Sequence, residues 1–160
     1  MHPLPPSIRE AVGPLLQTGV VLGIDLERQA KQAHWTLRGP TFIALHELFD
    51  EVAESAVGFT DLAAERLMGL GGVADGTVKT VAGTTTLPTF PVGLMGPERQ
   101  IELVRQTLGA YSAFLYEAIR KSADLGDPTT SDVFTEISRD LDQLLWKVEA
   151  HLPVKETGAK

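Results

Sequence analysis

The chain has 160 residues, 43% of them apolar and 22% charged, with no cysteine and a formal net charge of −7. That length suits one domain that buries its own core, and the lack of cysteine excludes a disulfide framework and any thiolate metal site, so a metal would rest on imidazole and carboxylate. The acidic balance argues against nucleic-acid binding over the whole surface, and no run of about 18 apolar residues or signal-like start is present, so a soluble, cytoplasmic protein is expected.

Residues 1–6 are a proline-rich lead-in without periodicity. Ser7-Ile8-Arg9-Glu10 reads as a capping box, in which the serine accepts from a free amide and the glutamate reaches back. Apolar residues at helical spacing follow to about Leu37 (Val12, Leu15, Leu16, Val20, Leu22, Leu26, Ala30, Ala33). Pro14 interrupts the donor ladder, so this helix either starts there or kinks nearby. Arg38-Gly39-Pro40-Thr41 is a turn, with Thr41 as N-cap of a second helix. Its apolar face runs from Phe42 through Leu45, Phe49, Val52, Ala56 and Ala63 to Leu67, and Leu70-Gly71-Gly72 stops it.

Residues 71 to 96 are rich in glycine, proline and threonine. So long a connection in so small a domain crosses from one end of a bundle to the other, with room for one short helix near Val78. Gly96-Pro97-Glu98 opens the third long helix, with Ile101, Val104, Leu108, Tyr111, Leu115 and Ile119 on one face. Gly126-Asp127-Pro128 ends it and opens the fourth, which runs through Ile137, Leu141, Leu144 and Val148 to about Leu152. No segment alternates as a strand would. The expected fold is all-α: a ferritin-like four-helix bundle over residues 8–152, with a long crossover between the second and third long helices. A flexible lead-in over 1–7 and a flexible tail over 153–160 flank it.

The chemistry concentrates on the second helix. His46, Asp50, Glu54, Asp61 and Glu65 fall at about 0°, 40°, 80°, 60° and 100° around its axis, one narrow polar stripe. A run of acids is ordinarily a solvated face. This one abuts the apolar face instead of opposing it, and it begins with a histidine. His46 and Asp61 lie roughly 22 Å apart along the helix, so one ion cannot touch both. The pairs His46/Glu65 and Asp50/Asp61 nevertheless share one midpoint, between Ser55 and Ala56. Two copies crossing antiparallel there bring His46 level with Glu65 of the partner subunit and Asp50 level with Asp61 of the partner subunit. The small residues Ala53, Ser55, Ala56 and Gly58 suit a close two-fold crossing. His34, at the end of the first helix, can fold over the turn to add a second imidazole. Each of two equivalent sites would then hold His34, His46 and Asp50 from one chain, with Asp61 and Glu65 from the other. Nitrogen with hard oxygen suits iron(II), with zinc and manganese as competitors.

His34-Trp35, Gly39, Phe42, His46-Glu47 and Asp50, then Asp61-Leu-Ala-Ala-Glu65-Arg66 and Leu70-Gly71-Gly72, closely resemble the signature of the Dps family, the starvation-induced miniferritins. Ser138-Arg139-Asp140-Leu141-Asp142 through Leu145-Trp146 is similar too, so the resemblance covers nearly the whole chain to His151. It implies a homo-oligomer: a twelve-subunit hollow shell whose dimer interfaces oxidise iron(II), preferably with hydrogen peroxide, and whose interior stores ferric mineral against oxidative damage. The five ligands match the family's ferroxidase positions. Trp35 matches a tryptophan beside the centre that takes up radical equivalents, with interface packing as the plain alternative. Glu47 and Glu51 match acids where mineral nucleates, or are simply solvent-exposed. Asp127, Asp132 and Glu136 match the acidic three-fold pore through which iron passes, although acids at a helix start also serve capping and the dipole. His2 and His151 are not expected to be ligands.

Two other classes are weighed. A larger ferritin or di-iron oxygenase needs Glu-x-x-His pairs, and no glutamate here precedes a histidine by three. A structural or DNA-compacting stress particle without ferroxidase activity is the alternative function. DNA is not expected to bind at neutral pH, because the first eight residues carry no lysine or arginine and an acidic shell repels phosphate.

Overall fold

The computed structural model describes residues 2–153. Five helices follow in order: α1 (Pro6–Thr36), α2 (Phe42–Gly69), α3 (Val78–Thr84), α4 (Pro97–Asp124) and α5 (Pro128–Glu149). Among the described residues there is no strand, only an isolated bridge between Leu37 and Met95. The long helices close a four-membered ring: α1 packs on α2 and α4, and α5 packs on the other side of both, with short α3 laid against α1. The core is mainly aliphatic with a few large rings: Phe49, Tyr111 and Phe134 are fully buried among Leu16, Leu22, Leu26, Leu115 and Ile137, and Phe59 is nearly so. The Tyr111 hydroxyl donates to the Gly19 carbonyl at 3.1 Å, which satisfies the one polar atom of that ring, and burial pushes the phenol's pKa up.

The start of α1 corrects the expected capping box. Pro5 is the N-cap and Pro6 the first helical residue, with no side-chain cap, so Ser7 and Glu10 lie inside the helix. Proline at the first position needs no amide partner and pre-sets φ, which makes the serine cap unnecessary. Residues 6 and 7 therefore belong to the bundle and not to the lead-in. The helix also continues through Pro14, which is exposed; the Glu10 carbonyl that loses its donor sits on an exposed residue within reach of water. Of the tail expected over 153–160, all but Pro153 lies outside the described residues.

The other boundaries follow their local chemistry. The end of α2 is a Schellman turn: Gly72 N–H donates to Leu67 at 3.0 Å and Gly71 N–H to Met68 at 2.9 Å, with Gly71 at φ 85°. Leu125-Gly126-Asp127 repeats this at the end of α4, and Asp127 then caps α5 by accepting from the Thr130 amide at 3.0 Å. Thr41 does occupy the N-cap of α2, but its hydroxyl makes no capping bond. The last helix stops at Glu149, three residues before Leu152.

Side chains of α1 stitch the crossover down. Gln17 donates to the Asp75 carbonyl at 2.8 Å and accepts from the Asp75 amide at 2.9 Å. Buried Gln29 donates to the Pro88 carbonyl at 2.9 Å and accepts from the Thr107 hydroxyl at 2.8 Å. Among the described residues no helix is long and apolar enough to cross a membrane.

Candidate metal centre

The five-residue turn between α1 and α2 folds the end of one helix over the start of the next, and this brings two imidazoles face to face. The rings of His34 and His46 stack with centroids 3.5 Å apart and planes 17° apart. His34 Nδ1 lies 2.8 Å from the backbone oxygen of His46, and His46 Nδ1 lies 3.0 Å from the backbone oxygen of His34. A carbonyl only accepts, so each Nδ1 carries the proton and donates it. Nε2 is then the nitrogen of each ring that can offer a lone pair to a metal.

Asp50 lies one helical turn beyond His46, with a carboxylate oxygen 3.9 Å from His34 Nδ1. Its salt bridge is to the Lys31 ammonium, which projects from α1 one turn before His34. The hydrogen bond from Lys31 is the main cause that holds the Asp50 carboxyl below the usual range; desolvation opposes it, and the two imidazoles add a smaller pull in the same direction as the lysine. His34 and His46 supply nitrogen and nearby Asp50 supplies hard oxygen, donor types that suit divalent iron, zinc or manganese, although among the described residues one chain does not by itself group three of them around a single point.

Asp61 and Glu65 lie far down α2, exposed, and point away from their own bundle core. Among the described residues no three histidines or acids of one chain are grouped so as to hold an ion. The expected crossing needs one correction. Ala53 and Ala56 are buried in their own bundle, packed as core, and are not free to line a contact between chains. Half-buried Ser55 and exposed Gly58 remain at that surface, beside exposed Val57. Trp35, Ile43 and Met68 are also exposed apolar residues on α1 and α2.

The ferritin-like domain family matches residues 15–155. The chain is 39% identical over 152 residues to the "DNA protection during starvation protein" of Agrobacterium fabrum, covering 95% of this chain and 94% of that one. Its fold superposes on Dps from Microbacterium arborescens in the high iron form with a TM-score of 0.87 and 35% identity, covering 92% of this chain and 95% of that one. Against Mycobacterium smegmatis Dps the TM-score is 0.92 at 26% identity, covering 100% and 98%. The chain belongs to the Dps family.

The remaining Dps-type positions separate by environment. Trp35 is exposed immediately after the stacked His34. Glu47 is exposed and Glu51 pairs with Lys147 of α5. Asp132 and Glu136 are exposed one turn apart at the start of α5. Asp127 does not stand with them: it is fully buried, and Arg66 Nη2 donates to its two oxygens at 2.9 and 3.0 Å. Its oxygens also accept from the amide and hydroxyl of Thr130. Burial raises its pKa, but the bonds from Thr130 and Arg66 outweigh this and hold the carboxyl below its usual range. Its expected place in a pore is therefore corrected to a cap and an internal ion pair. His2 accepts from the Leu4 amide at 3.1 Å, and His151 is exposed after α5.

Two residues beside the histidine pair have no clear signal in the sequence. Lys31 was one of several lysines with no pattern of its own; a spacing of three before His34 was the available signal, since it places both on one helix face. Phe42 stands in the sequence as an apolar position and as part of the family signature, with nothing in its spacing to show that its ring stacks on His46.

Proposed function

We propose that this chain is a ferroxidase that takes up iron(II), oxidises it at centres shared between two copies, and stores the ferric product inside a twelve-copy shell in the cytoplasm. The observation that supports this reading best is the reciprocal histidine pair, whose two Nδ1 bonds leave both Nε2 atoms free to take a metal, with the Asp50 carboxylate 3.9 Å from His34 Nδ1. Asp61 and Glu65 of the partner subunit complete each set, because they share a midpoint with His46 and Asp50 on α2 and are exposed on the same helix. Carboxylates favour the ferric product over the ferrous substrate, since the harder ion prefers oxygen. Hydrogen peroxide is the oxidant: two ferrous ions each give one electron, the O–O bond breaks, and two protons complete two waters, so no hydroxyl radical is set free. Zinc and manganese compete for the same donors. Trp35 stands where stray oxidising equivalents would be taken up. Asp132 and Glu136 line the passage where three chains meet, and Glu47 with Glu51 offers the first mineral contacts.

Stoichiometric iron(II) and peroxide, followed in the near ultraviolet, test the reading. The wild type oxidises iron quickly, and a His34→Ala/His46→Ala variant that keeps its assembly oxidises it slowly. Equal rates would overturn the ferroxidase assignment and favour a structural stress particle. With a net charge of −7 per chain, DNA binding at neutral pH and physiological salt is weak or absent. A clean gel shift at low protein concentration would contradict that.

A further inference from the structure

We propose that Phe42 is a positioning residue of the divalent-cation centre: it fixes the plane of the His46 imidazole and with it the direction of the His46 Nε2 lone pair. This inference rests on the reading of His46 as a ligand. The Phe42 and His46 rings stack with centroids 4.7 Å apart and planes 27° apart, while His34 stacks on His46 at 3.5 Å. Two rings cannot cover the same face of an imidazole at those distances, so His46 is held between them. Stacking on both faces resists the turn about χ2 that would tilt the ring, and the Nδ1 bond to the His34 carbonyl anchors its Nδ1 edge.

Thr41 gives no side-chain cap; the Phe42 amide donates to Gly39 and the Leu45 amide to Thr41, both at 3.2 Å. Phe42 is half-buried and packs against the core, so its ring has a fixed base from which to press on His46. A side chain of equal bulk without a plane would fill the space and leave the imidazole free to tilt. The groups that orient a metal ligand change affinity by about tenfold or more when they are lost.

Cobalt(II) alone, titrated into the assembled protein, tests this through affinity and the visible ligand-field spectrum. Phe42→Leu is expected to bind about tenfold more weakly with an altered spectrum, while Phe42→Tyr, which keeps the plane, restores both. Phe42→Met provides the same reading should the leucine variant fail to assemble. Wild-type affinity and spectrum in an assembled Phe42→Leu or Phe42→Met protein would overturn the role of Phe42 and leave the ligand assignment standing. Cobalt binding unchanged in His34→Ala/His46→Ala would overturn the ligand assignment itself, and the role of Phe42 with it.

Discussion

Arg66 and Asp127 are joined 61 positions apart by a guanidinium that reaches both oxygens of a fully buried carboxylate. Arg66 also donates from Nε to the Thr130 hydroxyl at 3.0 Å, so one side chain near the end of α2 secures the cap of α5. Removing one partner of such a pair strands the other charge. Arg66→Met is expected to cost about 3 kcal/mol, and Asp127→Asn less, since asparagine still caps. Denaturant unfolding followed by helix content checks the order.

The same pair sets an acid limit. The folded Asp127 carboxyl titrates below its unfolded value, so its contribution to stability is fully present above the unfolded value of about 3.9 and disappears as pH falls through the lower folded one. The wild type should therefore lose stability over that acid window by more than Asp127→Asn does. Parallel stability profiles for the two proteins between pH 5 and 2 would refute this.

Gly23 of α1 lies against Thr60 of α2: a Cβ there would overlap the Thr60 hydroxyl and sit 3.4 Å from the Thr60 Cα. That hydroxyl is held in place by the Ala56 carbonyl at 2.9 Å and cannot swing aside freely. Gly23→Ala is expected to destabilise by about 1–2 kcal/mol, although alanine in a helix ordinarily gains about 0.5–1. In a Thr60→Ala background the ordinary gain should reappear, which a double-mutant cycle of unfolding free energies reads directly.

On the proposed centre, Lys31 competes with a bound cation for Asp50. A partly exposed ion pair is worth up to about 1 kcal/mol, so Lys31→Met, which keeps the stem and drops the charge, should tighten zinc(II) binding by up to about fivefold. Calorimetric titration of the wild type and the variant gives the comparison. Identical affinities would remove Asp50 from the ligand set.

Features that depend on neighbouring residues were legible in the sequence. Gly39-Pro40, Leu70-Gly71-Gly72 and Gly126-Asp127-Pro128 stop and start helices through backbone chemistry carried by those few residues, and each does so here. Ser7 and Glu10 misled because a proline just upstream could open the helix with no cap at all. The alanines at 53 and 56 were assigned to a contact between chains because smallness does not reveal which neighbour needs it; α1 and the core claim them first. For Asp127 the sequence leaves pore and cap both open, and Asp-Pro-Thr-Thr has the form of an N-cap with threonine at its third helical position. What its carboxylate faces depends on Arg66, and the hydrogen bonds of His34 and His46 depend on where two helix ends meet. Such partners are set by the packed bundle, and no local spacing encodes them.

The distance between the two acidic and histidine halves on α2 has a genetic consequence on the shared-site reading. A chain lacking His34 and His46 and a chain lacking Asp61 and Glu65 are each inactive alone, yet a mixed pair rebuilds one complete centre and one with neither half. Co-expression of the two defective alleles should therefore recover up to half the oxidation rate per mixed dimer, measured on particles carrying both tags. Recovery of that kind separates a site built across a two-fold axis from one built within a chain. It would also mean that a population of differently damaged copies retains function that every copy has lost by itself.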